Sequence, residues 1–78
     1  MYTYYLIKLE FSDGDWGYVK GEYCGDLRTT QVEGGSLAFG ERRDAENYFY
    51  NRVKQCRNSN GASITRVFIT TIGSEHQM

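Results

Sequence analysis

Few side chains in this sequence could perform covalent or metal chemistry, and they do not cluster. The one histidine, His76, lies near the C-terminus with no acid or cysteine at metal-ligand or triad spacing. Cys24 and Cys56 form no CxxC pair. Cys24 falls in a turn, where a thiol could react, and Cys56 on the apolar stripe of a helix, so both read as reduced structural cysteines. Ser12, Asp13, Gly14 and Asp15 offer oxygen ligands. Their stretch is shorter than a calcium loop and lacks its distal glutamate, which leaves a hairpin turn. Glu41 and Asp44 flank Arg42 and Arg43, but paired carboxylates alone do not define a hydrolase. EGGSLAFG, residues 33–40, has glycines without the lysine or the strand–loop–helix setting of a phosphate loop. The expectation is a protein that is not an enzyme and holds neither cofactor nor metal.

What the chain has in excess is aromatic surface. Seven tyrosines, four phenylalanines and one tryptophan are spread over 78 residues, and Tyr2, Tyr4, Tyr5, Phe11, Trp16 and Tyr18 crowd its start. A domain of this size buries only about 60% of its unfolded surface, so a core this small hides only some of the rings. Nine Lys and Arg against ten Asp and Glu give a formal net charge of -1, without the positive field of a nonspecific nucleic-acid binder. The charges are segregated. Residues 1–26 hold Glu10, Asp13, Asp15, Glu22 and Asp26 against Lys8 and Lys20. Residues 42–66 hold Arg42, Arg43, Arg52, Lys54, Arg57 and Arg66 against Asp44 and Glu46. Such a molecule has differently charged faces, suited to oriented docking.

The elements that must position these groups follow from hydrophobic period. Residues 2–11 read as a strand with Tyr5, Ile7, Leu9 and Phe11 on its core face and Tyr4, Leu6, Lys8 and Glu10 on the other. SDGD turns the chain, and residues 16–23 return as a second strand. Its alternation puts Gly17, Val19, Gly21 and Tyr23 on the helix side and Trp16, Tyr18, Lys20 and Glu22 opposite. After a turn at residues 24–26, residues 27–32 have strand composition, EGG interrupts, and residues 36–39 read as a short further strand or the end of a bent one. Asp44 is a plausible N-cap for a helix that follows it through AENYFYNRVKQCRN, with Ala45, Phe49, Val53 and Cys56 as its stripe and Asn60-Gly61 as its stop. Residues 62–72 form a last strand, apolar on both faces and therefore central, with Ile64, Arg66, Phe68, Thr70 and Ile72 on one side. Residues 73–78 read as a frayed polar tail.

The expected fold is α+β: a single domain over residues 1–78 with a curved antiparallel sheet of three to five strands and one amphipathic helix packed on one face, in the order β-β-β-(β)-α-β. One helix shields one side of a sheet. The other side, with Tyr4, Trp16 and Tyr18, must meet solvent, a second copy, or another molecule. Trp, Tyr and Arg dominate interface hot spots. The leading expectation is therefore a non-catalytic protein-binding module: Tyr4, Trp16 and Tyr18 form the apolar centre, Asp13, Asp15, Glu22 and Asp26 an acidic rim, and Tyr50 on the helix joins a second contact. A small nucleic-acid-binding domain, with the same rings stacking bases beside Lys8 and Lys20, is the alternative. A homodimer sealed by the rings is a third possibility. No apolar run is long enough to span a membrane and no signal peptide is apparent, so the expected location is cytoplasmic.

The hairpin YYLIKLEFSDGDWGYVKGEY and the amphipathic helix DAENYFYNRVKQC, in a short acidic chain poor in cysteine, resemble the small phage-encoded inhibitors of bacterial defence such as anti-CRISPR proteins. The resemblance implies a stoichiometric inhibitor, acting in the host cytoplasm, that binds a CRISPR-type nuclease or surveillance complex at a surface meant for nucleic acid. Asp13, Asp15, Glu22 and Asp26 would then stand where phosphates sit in a basic groove, and the near-neutral total charge favours local steric blocking over extensive mimicry.

Overall fold

The computed structural model describes residues 3–23, 25–71 and 74–77. Its five strands are β1 (Leu6–Phe11), β2 (Trp16–Tyr23), β3 (Asp26–Thr30), β4 (Ile64–Thr71) and β5 (Ser74–Gln77), with one helix, α1 (Arg42–Tyr48), between β3 and β4. All pairings are antiparallel, and the strand order is β3-β2-β1-β4-β5. This is the α+β architecture expected, with β1 and β4 in the interior of the sheet. Ser74–Gln77 adds an edge strand where a frayed tail was expected; it gives β4 a second neighbour, as a strand apolar on both faces requires.

The core lies between one sheet face and the helix. Ile7, Leu9 and Phe11 of β1, Val19 of β2 and Ile69 of β4 meet Ala45, Phe49 and Val53. The helix is shorter and less regular than its stripe suggested. α1 begins after Glu41, whose extended backbone occupies the cap position without a side-chain cap bond. Asp44 is therefore in the first turn rather than the N-cap, where its charge still suits the positive helix end. Residues Phe49–Val53 continue as a π-helical turn, closed by the Lys54 N–H donating to the Phe49 carbonyl at 2.8 Å. The wider turn keeps Phe49 and Val53 on one side, so the stripe survives although the α-helix ends at Tyr48, well before the expected stop at Asn60-Gly61. Gly61 takes a positive φ of 81° in the later 58–61 turn, not at a helix end.

Two bulges decide which way side chains point. In β2 the pairing runs Val19 with Thr29, then Gly21 with Arg28, so Lys20 is the extra residue. A bulge of one residue reverses the alternation beyond it. Glu22 consequently lies on the helix side with its partner Leu27, which packs on the core. Gly21 and Tyr23 share the other side, where a Cβ on Gly21 would lie 3.6 Å from the Tyr23 ring. This corrects the placement of Glu22 beside Trp16 and Tyr18. In β4 the register slips between Glu10–Arg66 and Phe11–Ile64, leaving Thr65 unpaired; its hydroxyl donates to the Glu10 carbonyl at 3.1 Å. Ile64 thereby joins Val67 and Ile69 against the core, instead of facing out with Arg66 and Phe68.

Residues 36–39 do not form a strand of their own. They wedge between the diverging ends of β1 and β2: the Leu37 N–H donates to the Val19 carbonyl at 2.9 Å, and Tyr5 and Phe39 exchange two backbone bonds of 2.8 and 2.9 Å. Leu37 and Phe39 pack against the core, and Phe39 meets the Tyr48 ring at 5.5 Å. Just before them, Glu33–Gly35 makes one 3-10 turn.

Candidate functional site

The cross-strand register builds the candidate site on the sheet face that the helix leaves uncovered. Lys8 pairs with Tyr18 on one side and Phe68 on the other, and Glu10 with Trp16 and Arg66. Side chains opposite one another across a strand pair stand close together, so these six form one continuous surface patch. Trp16 meets Tyr18 edge to face, with ring centroids 5.9 Å apart. The Lys8 ammonium lies over both the Trp16 ring, at 5.2 Å, and the Phe68 ring, at 5.6 Å. Each such contact contributes about 0.5–1 kcal/mol at an exposed site. These contacts hold the rings in a fixed mutual arrangement on the face.

The face is not bare throughout. The 3-10 turn folds onto one end of it: the Tyr18 hydroxyl donates to Glu33 Oε1 at 3.3 Å. Leu6 and Thr70, paired across β1 and β4, are only 8% and 5% exposed. Tyr4, 50% exposed, and Trp16, 37% exposed, remain accessible.

The structure brings Tyr4, Trp16 and Tyr18 to one face with Lys8, which the nucleic-acid alternative places beside them, and adds Phe68 and Glu33, which are not among the candidate residues. Phe68 was legible from alternation in β4. Glu33 was not, because no local pattern shows that a loop returns to a strand fifteen positions earlier. The acidic residues behave differently from the expected rim, since each is engaged within the molecule. Asp13 accepts from the Asp15 N–H at 3.0 Å and from the Asn58 and Asn60 side-chain amides at 3.1 and 3.3 Å. The Asp15 N–H and the Asn58 amide, more than the Asn60 amide, hold its carboxyl below the ordinary aspartate range. Asp15 accepts from the Trp16 N–H at 2.9 Å. Asp26 pairs with Arg28 at 3.4 Å.

Glu22 is the largest departure. From the helix side its carboxylate accepts from the Gly25 N–H and pairs with Arg52 at 3.5 Å. Burial, and then the Glu22 charge, push the nearby Tyr48 phenol up. Tyr50, 56% exposed, stands on the helix side with the Lys54 ammonium 5.5 Å above its ring, away from the Trp16 patch.

Cys56 is a free, buried thiol whose pKa is raised, chiefly by that burial, so it is a poor nucleophile. Cys24 lies outside the described residues. Among the described residues no three His, Cys, Asp or Glu side chains are grouped to hold a metal ion. No helix among them is long and apolar enough to cross a membrane. The chain matches no protein-family model, and no curated protein or solved structure shows significant similarity to it.

Proposed function

We propose that this protein is a non-catalytic protein-binding module that docks through its uncovered sheet face. The observation that carries this reading is the patch of Trp16, Tyr18 and Phe68 around the Lys8 ammonium. Preordered aromatic rings supply large contact area at low conformational cost, and paired charges at the edge, Glu10 with Arg66 and Asp26 with Arg28, supply a polar rim. A nucleic-acid surface draws less support from the same geometry. Phosphate binding needs cations with charge to spare, whereas Arg28 and Arg66 are each matched by a carboxylate.

Inhibition of a CRISPR-type nuclease or surveillance complex is the more specific form of this proposal. It rests on the resemblance of the hairpin and helix to phage-encoded inhibitors. In that form the rings act by covering a surface of the complex, because Asp13, Glu22 and Asp26 are consumed by internal partners and do not stand as a phosphate-like row.

The test is paired affinity capture from host or phage-infected cells, with the wild type and Trp16→Ala as baits. A protein retained by the wild type and lost with the variant, while circular dichroism and melting of the variant match the wild type, supports the reading. Equal retention by both baits removes the face from consideration. Addition of the wild type to a purified captured nuclease then measures whether activity falls at one-to-one stoichiometry.

A further inference from the structure

At the end of the uncovered face, the approach to β1 and the 3-10 turn border a cavity of about 200 Å³ lined by Tyr4, Leu6, Glu33 and Gly34. Leu6 supplies an apolar floor that is 8% exposed, and the Tyr4 ring an accessible wall. Glu33 brings the only charge among the lining residues. One oxygen of this exposed carboxylate accepts from the Tyr18 hydroxyl at 3.3 Å, and Oε2 has no donor among the described residues. Glu10 and Asp26 on the same face have arginine partners; Glu33 has no cationic partner among the described residues.

We infer that this cavity seats an arginine side chain presented by the docking partner. The inference rests on the proposal that the uncovered face binds protein. An apolar side chain placed there would strip water from the Glu33 carboxylate and leave it unpaired, which is costly. A carboxylate or phosphate would be repelled by it. A basic side chain with an aliphatic stem satisfies both halves of the site: methylenes lie against Leu6 while the charged head donates to Oε2. Arginine fits better than lysine, because its planar guanidinium both forks onto a carboxylate and stacks on an aromatic ring such as Tyr4.

The experiment requires no knowledge of the partner. N-acetyl-arginine amide and its neutral isostere, N-acetyl-citrulline amide, are titrated into the protein while the Leu6 and Gly34 amide resonances are followed. The expected result is saturable, millimolar binding of the arginine derivative, about tenfold tighter than the citrulline derivative, with the preference abolished in Glu33→Gln and weakened in Tyr4→Ala. No saturable shift, equal affinity for the two derivatives, or an unchanged preference in Glu33→Gln overturns the inference. Trp16→Ala, titrated alongside, is expected to keep the arginine preference. If the preference is missing while Trp16→Ala still abolishes partner capture, the arginine seat alone falls. If the preference is present while Trp16→Ala captures normally, the wider docking proposal falls.

Discussion

At the residue scale, Trp16 is where the proposed binding can be tested apart from folding. Its ring sits outside the Ile7–Leu9–Val53 core, so Trp16→Ala removes the edge-to-face contact with Tyr18 and one side of the Lys8 site without opening an interior cavity. The expected outcome is an unchanged fold by circular dichroism and more than about tenfold weaker partner binding, the size of loss typical of a hot-spot ring. Asp13 supplies a test of the turn. Its folded-state pKa lies below that of a free aspartate, so its ionised form favours folding. That contribution is complete above about pH 4 and fades as pH falls through the lowered folded value. Urea midpoints compared at about pH 6 and about pH 2.5 should fall further for the wild type than for Asp13→Asn. An equal fall would mean that the Asn58 and Asn60 contacts do not act on the folded state. The Asp13 contacts were invisible in the sequence, because Asn58 and Asn60 come to the turn only once β1 and β4 pair.

At the element scale, the bulge at Lys20 determines what β2 offers to each side of the sheet. The alternation Trp16, Tyr18 and Gly17, Val19 was readable, and it holds until Lys20. Beyond it Glu22 turns to Arg52 and Tyr23 away, since a residue in excess on one strand rotates everything after it by one position. Deleting Lys20 removes the surplus residue, so β2 should alternate strictly while Gly21 still pairs with Arg28 and Glu22 still meets Leu27 and Arg52 on the helix side. A folded variant that keeps the Glu22–Arg52 contact is expected, read from its amide spectrum and melting temperature. Lys20→Ala keeps the bulge and should change stability by no more than about 0.5 kcal/mol. A deletion variant that fails to fold or loses the Glu22–Arg52 contact would show that the extra residue is itself required. The helix was legible in kind and in stripe, from Ala45, Phe49 and Val53, but its π-helical turn was not. Apolar spacing of four residues is compatible with either winding, and packing on Ile7, Leu9 and Ile69 selects between them.

At the scale of the whole molecule, the single helix and the loop at residues 31–36 cover different sides of one sheet. The helix seals the core, whereas the loop meets the far face at Tyr18, through Glu33, and borders Tyr4 and Leu6, leaving Trp16 accessible. On the proposed protein-binding reading, a face whose Arg28 and Arg66 are paired with carboxylates has little cationic charge to spare for a polyanion. Titration with single- and double-stranded oligonucleotides is therefore expected to show no binding at about 0.1 M salt. Micromolar binding that weakens as salt rises would instead favour the nucleic-acid reading. Sedimentation supplies the remaining comparison: a docking face kept for a different partner predicts a monomer, and a stable dimer with the Trp16 fluorescence buried would assign the rings to self-association.

The sequence by itself determined the quantities that depend on local pattern. These are the α+β class, the core face of β1, the hairpin at Ser12–Asp15, the apolar stripe of the helix, and the placement of Tyr4, Trp16 and Tyr18 opposite that helix. Period-two and near-period-four spacing of apolar side chains carries this information whatever the rest of the chain does. Tertiary structure alone decided the strand order, the added β5 edge, the wedge of Leu37–Phe39 between β1 and β2, the two register slips and the return of Glu33 to Tyr18. Each of these is a pairing between distant segments. Its energy comes from backbone hydrogen bonds and shared burial that any suitable partner could supply, so no residue in the segment itself announces which partner it will be.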